Sequence, residues 1–410
     1  MSGIAATVRL DGGPGDAALL ERMTACMAFR GPDGTRTWSE GPAGLGHALL
    51  RTGDVAREAD QPLTLDGATW IAADARIDGR GELIRELRGA GRGVDGDASA
   101  AELILHAYAV WGVASPERLL GDFAFAVWDA PRRRLFCARD LFGVKPLFHA
   151  RAGAELVVSN TLGCVRLHPG VSDALDDAAV ADFLVHGHPE ELDLTVFRDV
   201  RALPPGHALV AEDGEVRVRR WGALPTGAEP LRYRRVTEYV EHFLEVLGEA
   251  VRDRLPEGAA SLFLSGGRDS TAIGALAREA VDRGERRTEL RAFTAVYDRL
   301  LPDEERRYTR MAAGALRIPV DFTAVDGYEA FERWETPALR RPQPTDAVLG
   351  AIEADQLAQA AAHARVLFTG QGGDAALRET RSRLTKLVAA GHPLRALREA
   401  AEYAWWHGRL

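Results

Sequence analysis

The chain has 410 residues, 46% hydrophobic and 27% charged content, and a formal net charge of −9. That is the profile of a globular protein too long for one ordinary core, and its charge disfavours non-specific contact with nucleic acid. No apolar run approaches the ~20 residues that span a bilayer.

The start, MSGIAATVRLDGG, has no basic segment leading into an apolar one, so it reads as a mature cytoplasmic N-terminus and not as a signal peptide. Cys26, Cys137 and Cys164 are far apart in sequence and form no CxxC pair. This argues against a disulfide framework or a zinc knuckle and predicts reduced thiols, with Cys137 and Cys164 packed in core.

From residue 1 to 221, short β-rich runs alternate with Gly and Pro turns: ATWIAADARI, FAFAVWD, RRLFCARD, ELVVSN and HALVAEDGEVRVRRW, with a helical stretch at Ala100–Trp111. This succession predicts an α+β domain built on antiparallel sheets. A loop-like stretch over 222–236 then separates it from a second domain at 237–410. There the rhythm changes to an amphipathic helix at Thr237–Arg254, the apolar run SLFL at 261–264 and a helix at Ser270–Asp282. LRAFTAVY, DEERRYTRMAAGAL, VDFTAV, ADQLAQAAAHA and RVLFTG come next in the chain. Strands alternating with helices predict a parallel sheet covered on both faces, which binds ligands at the carboxyl ends of its strands.

The most informative segment is SLFLSGGRDST, Ser261–Thr271. Gly266 and Gly267 let backbone approach an anion, and the helix start behind them favours phosphate. Ser265, Ser270 and Thr271 add hydroxyl donors, and Asp269 offers a hard oxygen suited to magnesium. A second run, FTGQGGDAA at Phe368–Ala376, again leads from a strand into a glycine turn with an aspartate. In a parallel sheet both turns lie at one edge, so Asp269 and Asp374 are expected to share one magnesium ion. The Walker pattern GxxxxGK(S/T), which serves terminal phosphoryl transfer, is absent. His186 and His188 read as loop residues rather than metal ligands, and His47 as part of a Gly-rich turn. Arg139 and Lys145 could each face a bound anion, but the expected use of these cations is in a buried ion pair with a carboxylate, joining strand and loop.

SGGxDS resembles the PP-loop of the ATP pyrophosphatases, which cleave between the α and β phosphates and make an adenylate. With it, the second half resembles the synthetase domain of the asparagine synthetase family. The first half carries MSGI, FRGPDG at 29–34, GLGH at 44–47, GDFAF at 121–125 and ARDLFGVKPLF at 138–148. These resemble landmarks of that family's N-terminal-nucleophile amidotransferase domain. The resemblance implies an αββα sandwich followed by an α/β parallel-sheet PP-loop domain of the adenine nucleotide α-hydrolase type. It implies ATP and magnesium as cofactors, with the nucleotide on Leu264, Ser265, Gly266, Gly267, Asp269, Ser270, Thr271, Val296, Thr369 and Gly370. Metal falls on Asp269 and Asp374, and catalytic roles on these two and Gln371.

Departures from the family pattern carry as much weight. Residue 2 is Ser2 where the amidotransferases have a nucleophilic cysteine. Leu49 stands where the family has arginine, and Asp74, Ala75 and Arg76 where it has Asn-Gly-Glu. Ala100 replaces the carboxylate that holds the glutamine amine. Loss of that clamp, at ~1.5–3 kcal/mol for each charged hydrogen bond, implies a glutaminase without chemistry. Gln371 stands where asparagine synthetases have glutamate and β-lactam synthetase has tyrosine; a neutral amide is no general base.

YDRLLPDEERRYTRMAAGALRIP, TPALRRPQP and TGQGGD most resemble the lasso-peptide macrocyclases, which implies a precursor peptide whose Asp or Glu side chain is adenylated and attacked by its own N-terminal amine. A small amino-acid substrate and a catalytically inactive partner protein are the alternatives. The resemblance leaves room for a homodimer and for a protease or leader-binding protein of the same pathway, with no nucleic acid or membrane partner. Family members continue well beyond the second Gly-Asp motif, through a helical segment with a catalytic lysine. The expectation is therefore one of three: the chain is a fragment, another polypeptide fills that role, or the protein is inactive. Trp405 and Trp406 predict an apolar packing surface, met either by a partner or by the domain's own sheet.

Overall fold

Twelve strands between Gly3 and Arg220 pair antiparallel into two six-stranded sheets in a computed structural model that describes residues 1–52, 59–225, 231–374 and 382–406. They are β1 (Gly3–Arg9), β2 (Thr35–Glu40), β3 (Ala43–Ala48), β4 (Leu63–Thr64), β5 (Thr69–Ile77), β6 (Gly121–Asp129), β7 (Arg134–Arg139), β8 (Phe148–Ala152), β9 (Glu155–Ser159), β10 (Arg201–Ala202), β11 (His207–Glu212) and β12 (Glu215–Arg220). One sheet runs β10-β8-β9-β1-β3-β2, the other β12-β11-β7-β6-β5-β4.

Period-two alternation sorts their side chains into three cores. Ile4, Ala6 and Val8 of β1 meet Ala124, Ala126 and Trp128 of β6 between the sheets. On the outer face of the first sheet, Ala5 packs with Leu19, Leu20 and Met23 of helix α1 (Ala17–Cys26). On the outer face of the second, Phe125 and Val127 pack with Leu83 and Leu87 of α2 (Arg80–Gly89) and Leu103, Ile104 and Ala107 of α3 (Ala100–Trp111). The layers are therefore αββα, with each fully buried Leu, Ile or Phe contributing about 1.5–3 kcal/mol.

Local signals set the element ends. Ser99 and Glu102 form a reciprocal capping box at the start of α3, with the Ser99 N–H donating to Glu102 Oε2 at 2.6 Å and Glu102 N–H to Ser99 Oγ at 3.2 Å. Two short helices lie further on, α4 (Leu162–Val165) and α5 (Asp177–His186). The expected Gly-rich turn around His47 is instead strand β3. A Cβ on Gly44 would stand 2.7 Å from Leu20 Cδ2, and one on Gly46 would stand 2.1 Å from Thr24 Oγ1. Those glycines give α1 room to lie on the strand, which is a packing demand and not a turn signal.

Beyond α6 (Val236–Arg254) come β13 (Gly258–Phe263), α7 (Arg268–Asp282), β14 (Thr288–Val296), α8 (Glu305–Leu316), β15 (Val320–Ala324), α9 (Gly350–His363), β16 (Leu367–Phe368), α10 (Ser382–Ala389) and α11 (Pro393–Trp406). The sheet order is β15-β14-β13-β16, with β13 parallel to β16 and β14 parallel to β15. This is the α/β arrangement expected from the strand and helix rhythm.

The chain clusters into two units, one of residues 1–246, 253–258 and 327–357, the other of 247–252, 259–326 and 358–410. Among the described residues no helix is long and apolar enough to cross a membrane. The side chains of Trp405 and Trp406 lie outside the described residues.

Candidate nucleotide-binding site

Strand order reverses at β13, which has β14 on one side and β16 on the other. At such a switch point the connections diverge and leave a crevice at the strand ends. Both glycine-rich turns leave the sheet here.

The first turn is fixed from within. Leu264 donates its N–H to Phe293 O at 3.3 Å, and its carbonyl accepts from Thr294 Oγ1 at 2.5 Å and from Thr309 Oγ1 at 3.3 Å. Its own polar groups are thus engaged, and Leu264 anchors the turn to the sheet. Gly266 has φ +68°, and a Cβ there would stand 2.6 Å from the Tyr308 carbonyl carbon in α8. Conformation and space both demand glycine. Ser265 Oγ and Ser270 Oγ lie 3.0 Å apart, Ser270 Oγ accepts the Ser265 N–H at 3.2 Å, and Ser265 Oγ accepts the Gly267 N–H at 3.2 Å.

Helix α7 begins at Arg268, two residues earlier than its sequence suggests, with Gly267 as N-cap and no side-chain acceptor on its first turn. Uncapped first-turn N–H groups and the helix dipole together favour an anion at this end.

The second turn packs directly on the first. A Cβ on Gly370 would stand 2.8 Å from Ser270 N, and one on Gly373 would stand 2.3 Å from Asp269 Oδ2. Asp374, the next residue, is exposed, as are Gln371 and Gly372, whereas Thr369 and Gly370 are half-buried. Thr271 Oγ1 is buried and has no hydrogen-bond partner among the described residues. A buried hydroxyl without a partner is costly to leave unpaired, which makes it a fit for an oxygen of a bound ligand.

Among the described residues no three His, Cys, Asp or Glu side chains are grouped to hold a metal by themselves. Two carboxylates suit magnesium, which is held by one or two of them together with substrate phosphates and water. Val296 is fully buried at the end of β14, and its carbonyl accepts the Val325 N–H at 3.0 Å. It lines the sheet end as packing.

The positions read as a lost glutaminase are also placed. Ser2 Oγ accepts the Leu50 N–H at 3.1 Å, and Leu49 is buried. Asp74 is buried and paired with Lys145 Nζ at 3.0 Å, so the expected ion pair of Lys145 forms. Arg139 does not share it. Its guanidinium donates to the carbonyls of Lys145 (2.8 Å), Leu203 (2.7 Å) and Gly143 (2.7 Å), because the turn after Asp140 and the segment after β10 together converge three carbonyls on one planar fork.

Asn160, which sequence reasoning does not single out, ties this region together. It is fully buried, donates to Ser2 O at 2.8 Å and Asp74 Oδ2 at 3.4 Å, and accepts the Ile4 N–H at 3.0 Å. Its partners lie up to 158 positions away, so no local spacing announces it.

Arg76 pairs with Asp78 at 3.0 Å, while Ala75 and Ala100 pack against the core beneath α2 and α3. His47 is buried, and burial holds its imidazole down at about 4, with the charge of Asp74 working the other way. His186 is the last residue of helix α5 and not a loop residue, and pairs with Glu190 at 3.2 Å, whereas His188 lies in the bend that follows the helix.

Two protein families match successive parts of the chain. The family described as "Glutamine amidotransferase domain" matches residues 1–222, and the family described as "Asparagine synthase" matches residues 242–400. Asparagine synthetase [glutamine-hydrolyzing] 3 of Bacillus subtilis is 29% identical over 262 residues, 63% of this chain and 42% of that protein. A putative asparagine synthetase of Mycobacterium tuberculosis is 34% identical over 287 residues, 64% of this chain and 42% of its own length. The amidase chyE of Penicillium rubens is 24% identical over 386 residues, 87% of this chain and 54% of its own. The matched regions thus span about half or less of each relative's length.

Proposed function

The chain belongs to the asparagine synthetase family, and from that premise we propose that it is an ATP-dependent carbon–nitrogen ligase that closes an amide within a precursor peptide. ATP is a substrate: a carboxylate attacks the α-phosphorus, pyrophosphate leaves, and an amine takes the acyl group from the adenylate. The observation that carries this reading is the contact of Asp269 with Gly373, which joins the two glycine turns at one sheet edge.

Each residue then has a task that its surroundings suit. The first turn of α7 and the hydroxyls of Ser265 and Ser270 would orient phosphate oxygens, and Thr271 Oγ1 would gain the partner it lacks. Asp269 and Asp374 would hold magnesium, which when bound neutralises charge on the departing pyrophosphate. Gln371 stands exposed beside them and carries no base, so the attacking amine is expected to lose its proton to another group.

The former glutaminase supports an amine donor within the substrate. Asp74, locked to Lys145, offers no N–H donor to the oxyanion of amide hydrolysis, and the Ser2 hydroxyl oxygen accepts the Leu50 N–H. Similarity to asparagine synthetases favours a small amino-acid acceptor as the second reading. Both are tested by incubating the protein with ATP, magnesium and either a candidate precursor peptide or aspartate with ammonia. AMP with a peptide lighter by one water supports macrolactam closure, and AMP with asparagine supports the second reading. No AMP with any carboxylate points to a non-catalytic partner protein.

A further inference from the structure

Cys26 and Cys164 stand 138 positions apart in sequence, yet the fold sets them side by side. The Cys164 side chain is a direct neighbour of the Cys26 sulfur. Two neighbouring contacts tie the same two segments together: Arg30 Nε donates to Thr161 Oγ1 at 2.6 Å, and Ser159 Oγ lies 3.4 Å from Met27 Sδ. Cys26 is exposed at the last position of α1, and Cys164 is fully buried in α4.

That neighbour brings the Cys26 thiol down to about 7, against about 8.5 for an ordinary thiol, whereas Cys26 and burial push Cys164 up. An accessible sulfur rich in thiolate beside a buried second thiol is the arrangement of a peroxide-reactive cysteine and its resolving partner. Cys137, fully buried and pushed up by burial, has no such neighbour to favour its thiolate.

We propose that Cys26 and Cys164 are an oxidation site for hydroperoxides, closing to a disulfide within one chain. The Cys26 thiolate attacks one peroxide oxygen, the O–O bond breaks, and hydroxide leaves to become water, giving a sulfenic acid. Cys164 then loses its proton as its sulfur attacks that of Cys26, the S–OH bond breaks, and a second water leaves. Two thiols are oxidised and one peroxide is reduced.

The pair belongs to the sandwich and does not depend on the ligase reading. To test it, the full chain is reduced, freed of reductant and treated with equimolar hydrogen peroxide, then examined by intact mass and peptide mapping. The expected product has lost two hydrogens, carries a Cys26 to Cys164 link and reverts with dithiothreitol. In Cys164→Ala the sulfenic acid at Cys26 is trapped by dimedone instead. Iodoacetamide labelling of Cys26 at pH 7 slows about threefold, since fewer thiolates outweigh their higher nucleophilicity. Cys26→Ser shows no loss of mass. If Cys164→Ala fails to fold, the pH dependence of Cys26 alkylation in the native chain decides: a midpoint near 7 supports the pair, and one at or above 8.5 overturns it. A Cys26 that stays reduced, or that oxidises while Cys164 remains free, overturns it as well.

Discussion

Asp269 lies against the backbone of Gly373, so closely that a Cβ at 373 would stand 2.3 Å from its Oδ2 and 2.6 Å from its Cγ. Gly373→Ala must therefore displace the carboxylate on which the candidate metal site rests. Nucleotide affinity is expected to fall at least tenfold, about 1.4 kcal/mol, while the melting temperature moves little because the turn is half-exposed. Titration calorimetry and a thermal melt on the same sample separate the two effects.

Thr271→Val tests the unpartnered hydroxyl. Without ligand the substitution removes a buried polar atom that has no partner, so unfolding stability is expected to hold or rise slightly. With ATP and magnesium the variant is expected to bind several-fold more weakly. Parallel urea melts with and without nucleotide show both signs in one experiment.

The buried pair of Asp74 and Lys145 predicts a large asymmetry between variants. Asp74→Ala leaves the Lys145 ammonium largely buried without its partner and is expected to cost about 3–5 kcal/mol in denaturant unfolding. Asp74→Asn, which keeps an acceptor for Lys145, costs less. Ser2→Cys alone is expected to release no glutamate from glutamine, because Leu49, Asp74 and Ala100 remain; release measured by coupled assay would revive the glutaminase.

His47 sets a pH dependence of stability. Unfolded, its imidazole titrates near 6.5, and in the fold burial holds it at about 4, so the unfolded state takes up the proton first as pH falls. Its contribution is complete above pH 6.5 and is lost between there and about 4, at most about 3 kcal/mol. His47→Asn should flatten melting temperature against pH across that window.

Much of the fold is written in local pattern. The alternation of β5 and β6, the capping signature Ser99 to Glu102 and the strand–glycine–helix passage at 261–271 are short-range signals, and the elements appear where those signals lie. The glycines of β3 mislead because the same residue type serves turns and close packing, and only the position of α1 distinguishes them. Within the site, the glycines and aspartates are legible, since anion binding needs those residue types in sequence.

Thr294 and Thr309, which hold the Leu264 carbonyl, are not legible, because their partner lies 30 and 45 positions away. Asn160 and the Cys26 and Cys164 pair are hidden for the same reason. Spacing in sequence carries no information about contacts created by sheet order.

On the proposed reading, two glycine turns at adjoining strand ends cradle one nucleoside triphosphate. Calorimetric titration of ATP with magnesium into the native chain and into Gly373→Ala tests this most directly. One nucleotide bound per native chain, with binding lost or weakened at least tenfold in the variant, is the predicted result. No binding to the native chain, or equal binding to both proteins, would contradict it.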